Sequence, residues 1–133
     1  MQTISFAEGN EQHLKDCKDA LCQSTLGKKY FSSPGSAENA ILEGIRQGNL
    51  YVARIEEACV GFTYIIPKGA FHSFPYLHLI AIKEEYRGRG ILLYFYYHHH
   101  FHYHYKFSVF LKFYYNFYFS QNYLIHHQFL LLA

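Results

Sequence analysis

The stretch that most limits how this chain can fold is Tyr76-Leu-His-Leu-Ile-Ala-Ile-Lys-Glu-Glu-Tyr-Arg-Gly-Arg-Gly-Ile91. Leu77 to Ile82 is a short apolar run with β-branched residues and no Gly or Pro, which predicts a buried strand. Polarity switches at Lys83-Glu84-Glu85, and Arg87-Gly88-Arg89-Gly90 follows. Two glycines one residue apart let the main chain approach a ligand with no Cβ in the way. Their N–H groups, with a helix start behind them, would form a concave anion site whose natural occupant is a diphosphate.

The preceding elements read in order. Thr3 to Phe6 predicts a short strand. Asn10 is placed to cap a helix, with Glu11 favourable for its dipole. Leu14, Cys17, Leu21 and Cys22 recur at helical spacing to about Thr25. Residues 27–35, with Gly at both ends and Ser-Ser-Pro inside, read as a loop. Ser36 is expected to cap a second helix carrying Ala37, Ala40, Ile41 and Ile45, stopped by Gly48-Asn49. Leu50 to Ile55 and Cys59 to Ile66 predict a hairpin turning at Glu56-Glu57-Ala58. Pro67-Lys68-Gly69 ends it, and His72-Ser73-Phe74-Pro75 leads into the next strand.

This order and this loop resemble the GNAT N-acetyltransferases, whose acetyl-CoA motif is Arg/Gln-x-x-Gly-x-Gly/Ala after a hydrophobic strand. Here Leu79-Ile80-Ala81-Ile82 precedes Arg87-Gly88-Arg89-Gly90-Ile91, and the last motif position is Leu92 rather than Gly or Ala. The resemblance spans roughly Ile4 to Ile91. It implies an α/β fold (α+β, mixed sheet) with β-α-α-β-β-β order, incomplete at its C-terminal side. It also implies acetyl-CoA as co-substrate and acetyl transfer to a primary amine on a small molecule or peptide. On that basis the main chain of Ile80, Ala81 and Ile82 would line the pantetheine arm like an added strand, one N–H polarising the thioester carbonyl. Amides from Gly88 to Ile91 would hold the pyrophosphate, with Arg87 or Arg89 as charge-assisted donors.

The proton-transfer groups are harder to assign. His78, in the strand, titrates near neutrality, and Glu84 and Glu85 are the nearest carboxylates. Their plain alternatives are a structural histidine and a solvated acidic pair. The family's usual acid is a Tyr on a later helix, which has no counterpart here. The resemblance also puts Tyr30 and Phe31 beside the amine pocket, with ordinary packing as the alternative.

Composition divides the chain at Leu92. All nine Gly, all three Pro and all ten acidic residues precede it, whereas Tyr, Phe and His make up 24 of the 42 residues from Leu92 to Ala133. That stretch is apolar or aromatic all round and offers no amphipathic period. We therefore expect residues 1–91 to be the N-terminal part of an acetyltransferase domain. Residues 92–133 read as an aberrant, frameshift-like product of an AT-rich gene, since Tyr, Phe, His, Asn, Ile and Leu share codons with A or T in second position. Activity of such a chain would be impaired or lost.

Two rival readings follow from the same break. One is a non-enzymatic truncated remnant. The other is a His-rich metal-binding or membrane-associating protein centred on His98-His99-His100, His102 and His104. We expect adventitious metal capture there rather than a functional site. Phe107 to Phe119, with Lys112 inside, is too short to span a bilayer. With no leader-like start, no 18-residue apolar run and three cysteines in no zinc spacing, the expected compartment is the cytoplasm with reduced thiols. A net charge of +2 gives no reason to expect nucleic acid as a partner.

Overall fold

The computed structural model describes residues 3–66, 76–92, 94 and 95. Strands β1 (Ile4–Glu8), β2 (Leu50–Ile55), β3 (Ala58–Ile66) and β4 (Tyr76–Ile82) form a sheet in the order β1-β2-β3-β4, antiparallel throughout. Between β1 and β2 the chain makes helices α1 (Leu14–Gln23), α2 (Thr25–Tyr30) and α3 (Ser36–Arg46). The residues expected to end the hairpin and lead into β4, from Pro67 to Pro75, lie outside the described residues.

β3 explains the layering. Cys59 to Ile65 is buried without a break, so this strand is covered on both faces and reads as a continuous apolar run. Phe62 and Tyr64 pack with Cys17, Leu21, Ile41 and Leu50 under α1 and α3. Val60 faces the other side, where Ala53, Ile80 and Ile82 meet Ile91 and Phe95. Gly61 keeps β3 and β4 close, because a Cβ there would stand 2.6 Å from the Ala81 carbonyl oxygen.

The helices differ from expectation in two places. Asn10 does cap the start of α1 through a preceding 3-10 turn: its side chain accepts from the Gln12 N–H at 2.9 Å, while its own N–H donates to His13 Nδ1 at 3.1 Å. Residues 27–35, however, are not all loop, since Thr25–Tyr30 is the helix α2. Ser24 makes it one: its hydroxyl accepts from the Gly27 N–H at 3.0 Å and donates to the Leu21 carbonyl. The N-cap of α3 is Gly35 rather than Ser36, which is the first helical residue and donates to the Ser33 carbonyl instead.

β1 runs two residues beyond its expected end because Glu8 still pairs with Tyr51. The hairpin turn is tight, with Glu56 at a φ of 55°. Of the three cysteines, Cys17 and Cys59 are buried and Cys22 is exposed, and all are free thiols. The Cys59 thiol hydrogen-bonded beside it, together with burial, pushes the Cys17 thiol up, while the same hydrogen bond lowers that of Cys59 against the effect of burial. Among the described residues, no helix is long and apolar enough to cross a membrane.

The chain does not leave the core at Ile91. Residues 91, 92, 94 and 95 are helical, and the Tyr94 N–H donates to the Gly90 carbonyl at 3.2 Å. Phe95 is 1 % exposed, with its ring 4.9 Å from that of Phe6. Phe95 thus packs in the same hydrophobic cluster as Ile91.

Candidate functional site: the outer strand and its glycine turn

β4 is the outer strand among those described, and no described strand pairs with its second edge. Its register with β3 slips once. Tyr64 pairs with Leu79 and Ile65 with Leu77, leaving His78 as the extra residue of a β-bulge. The bulge turns His78 towards the helix-covered face, where its ring meets Tyr64 edge-on at 4.9 Å. Partial burial lowers the His78 pKa, and the charge of Glu43 on α3 only partly opposes this. Tyr64 is fixed in turn by its hydroxyl, which donates to Gln47 Oε1 at 3.1 Å. His78 is thus a largely neutral imidazole, exposed on one side and held by an aromatic neighbour.

Beyond Ile82 the chain makes a 3-10 turn at Glu84–Tyr86 and then the glycine turn. Gly88 and Gly90 both have φ of 76°, a left-handed conformation that residues with a Cβ adopt at a cost. Nothing lies within 4 Å of where their side chains would be, so the outer side of the turn is open. The Ile91 and Leu92 amides start the following helix, where N–H groups have no intrahelical acceptor. Main-chain donors therefore lie at the glycine turn, beyond a strand whose second edge pairs with no described strand.

The two arginines are already engaged. Arg87 Nε donates to the Ile82 carbonyl and its Nη2 to the Gln23 carbonyl, each at 3.1 Å. Its guanidinium ties the turn to β4 and to the end of α1. Arg89 donates to the Glu85 carbonyl at 3.2 Å and stacks over the Tyr86 ring at 5.0 Å. Glu84 is exposed, and its amide donates to Gln23 Oε1 at 2.9 Å. At about 3.3 Å per residue, roughly 13 Å of strand separates His78 from Ile82, with Glu84 further on. The structure does not bring His78 and Glu84 together.

Two residues that matter to this geometry have no sequence signal. Gln23 holds the turn from 61 residues away. Asp16 accepts from Lys83 Nζ at 2.5 Å, and although burial opposes the charge, this partner holds Lys83 above its ordinary pKa. Of the residues expected at the amine pocket, Tyr30 is exposed at the end of α2 and Phe31 packs against the helix-side core. The histidine cluster from His98 to His104 lies outside the described residues. Among the described residues, no group of three His, Cys, Asp or Glu could hold a metal ion.

This antiparallel meander with helices inserted after its first strand is a fold shared with solved structures of GNAT-family acetyltransferases. Three solved structures share it. PH1933 from Pyrococcus horikoshii OT3 superposes with a TM-score of 0.55 at 17% identity, over 67% of this chain and 64% of its own. A GNAT-family acetyltransferase from Bacillus cereus ATCC 10987 gives 0.54 at 18% identity over 69% and 61%, respectively. One from Streptococcus agalactiae 2603 gives 0.55 at 17% identity over 67% and 64%. The chain thus spans less than two thirds of the length of each. No family model and no curated protein matches the sequence.

Proposed function

We propose that this chain carries an acetyl-CoA site of the GNAT type and belongs to an N-acetyltransferase acting on a primary amine. The observation that supports this most is the pair of left-handed glycines, open on their outer side, at the end of an outer strand. In this reading the Gly88 to Ile91 amides hold the diphosphate, and the edge of Ile80, Ala81 and Ile82 that no described strand pairs takes the pantetheine arm as an added strand. Arg87 contributes by shaping the turn, because its donors are already directed at carbonyls. Bound acetyl-CoA supplies an activated thioester.

The amine nitrogen forms a bond to the thioester carbonyl carbon, the C–S bond breaks, and the thiol leaves with a proton. His78 is the better placed of the two proposed bases. It lies in the strand rather than beyond it, and its lowered pKa keeps it unprotonated, and so able to accept the amine proton, at neutral pH. Glu84 remains the candidate for a water-relayed route. We take residues 1–91 as the N-terminal part of an acetyltransferase domain and the stretch from Leu92 as an aberrant tail, so turnover is weak or lost. We assign the chain to the cytoplasm.

Titration calorimetry with acetyl-CoA tests the reading. Saturable heat is expected, with affinity reduced at least ten-fold by Gly88→Ala/Gly90→Ala, since a Cβ at positive φ costs about 1–2 kcal/mol per residue. Release of free thiol in the presence of an amine panel would then identify the acceptor class. Absence of saturable heat from the folded wild-type chain sinks the proposal and favours the non-enzymatic remnant.

A further inference from the structure

The glycine turn does not hold its shape alone. Three hydrogen bonds attach it to the end of α1 and the end of β4. Gln23 Oε1 accepts from the Glu84 N–H at 2.9 Å, the Gln23 carbonyl accepts from Arg87 Nη2 at 3.1 Å, and the Ile82 carbonyl accepts from Arg87 Nε at 3.1 Å. Gln23 thus bonds both ends of the 3-10 turn that precedes the glycines, once through its side chain and once through its main chain. Its side chain is half-buried, and the next residue, Ser24, is fully buried and caps α2. A glycine-rich segment populates many conformations unless something outside it restricts them.

We infer that Gln23 is a positioning residue for the coenzyme, acting on the diphosphate through the Glu84 amide and Arg87 without touching it. The inference rests on the acetyl-CoA reading above. With the clamp made, the turn is already in its binding conformation. Without the side-chain bond, the competent fraction falls and the apparent affinity falls with it.

The near-isosteric variant Gln23→Met keeps the packing and removes the acceptor. Residue-resolved hydrogen–deuterium exchange of the free, full-length protein is expected to show about five-fold faster exchange at the Glu84, Tyr86 and Arg87 amides, the effect of one lost hydrogen bond. The Val52 and Phe62 amides in the sheet should keep their wild-type rates, and acetyl-CoA affinity should fall by a similar factor. Gln23→Glu retains an acceptor oxygen and should restore slow exchange. Arg87→Lys, which reaches one carbonyl rather than two, should reproduce the Gln23→Met pattern if that variant folds poorly.

Wild-type exchange at the turn, or wild-type affinity in a variant whose turn exchanges faster, overturns the inference. So does faster exchange spread uniformly through β3, which marks a general loss of stability. If the wild type binds no acetyl-CoA, the coenzyme reading is what fails, and the exchange rates still decide whether Gln23 restrains the turn.

Discussion

Gly27 is the position where local and tertiary physics predict opposite signs. It lies inside α2, so replacing it with Ala should favour the helix by about 1 kcal/mol on propensity alone. A Cβ at this position would stand 1.7 Å from the Leu21 carbonyl oxygen, 2.6 Å from its carbon and 3.1 Å from the Cys22 Cα. Restoring an ordinary C···O separation of about 3.3 Å requires roughly 1.6 Å of displacement between α1 and α2. All three obstructing atoms are main chain, so no side chain can rotate away. Overpacking of this kind costs about 3 kcal/mol. Pulling α2 away also breaks the bond from the Gly27 N–H to Ser24 Oγ, a cap worth about 1 kcal/mol, which cancels the propensity gain. The expected net loss for Gly27→Ala is therefore about 3 kcal/mol, or a fall in Tm of roughly 12–24 °C for a folded unit of this size. Urea denaturation of both proteins, followed by circular dichroism, measures it. A variant as stable as the wild type, or more so, would mean that α2 can slide on α1 and that the contact does not set the junction.

Three further outcomes are expected. Both His13 and His78 are held below the ordinary histidine value of 6.5, chiefly by burial, with Arg54 adding to the effect at His13. The unfolded chain therefore binds more protons just below pH 6.5, so their contribution is complete above that pH and is lost as pH falls towards their folded values. Urea midpoints should drop between pH 7.5 and pH 5, and His13→Ala should flatten the drop, because a protonated His13 can no longer accept from the Asn10 N–H. Phe95→Ala should cost about 3–5 kcal/mol as a buried aromatic truncation; a loss below 1 kcal/mol in chemical denaturation would place the end of the folded unit before it. Glu56→Gly relieves a φ of 55° at an exposed turn and should raise stability by about 1 kcal/mol, readable as a higher Tm.

What could be read from the sequence was what depends on neighbours in the chain. The apolar run of β4, the two spaced glycines, the helical spacing of Leu14, Cys17 and Leu21, and the two strands of the hairpin all carry their own signals. α2 does not, because Thr25-Leu-Gly-Lys-Lys-Tyr30 has no apolar period and contains a helix-weakening glycine. It is helical because Ser24 caps it and because that same glycine allows it to rest on α1. Phe95 was hidden for the opposite reason. In a segment where nearly every residue is apolar or aromatic, the face that packs cannot be told from the face that does not. The bulge at His78 and the clamp at Gln23 are pairings between distant segments, and neither residue type is unusual where it stands.

The two hydrophobic clusters explain why the turn takes the form it does. Arg87 is tied to α1 on one face of the sheet, and Ile91, four residues later, is fully buried on the other. The chain must pass around the end of the sheet within that span. Left-handed residues at Gly88 and Gly90 make so short a passage possible, and with no Cβ they leave its outer surface bare. The same reversal leaves the first amides of the next helix without intrahelical acceptors beside that surface. In the proposed acetyl-CoA reading, the diphosphate site is a by-product of crossing from one face to the other under restraint at both ends. On that reading, loosening either anchor, the Gln23 clamp or the packing of the Ile91 and Phe95 side chains, should weaken anion binding even though none of these side chains contacts the anion.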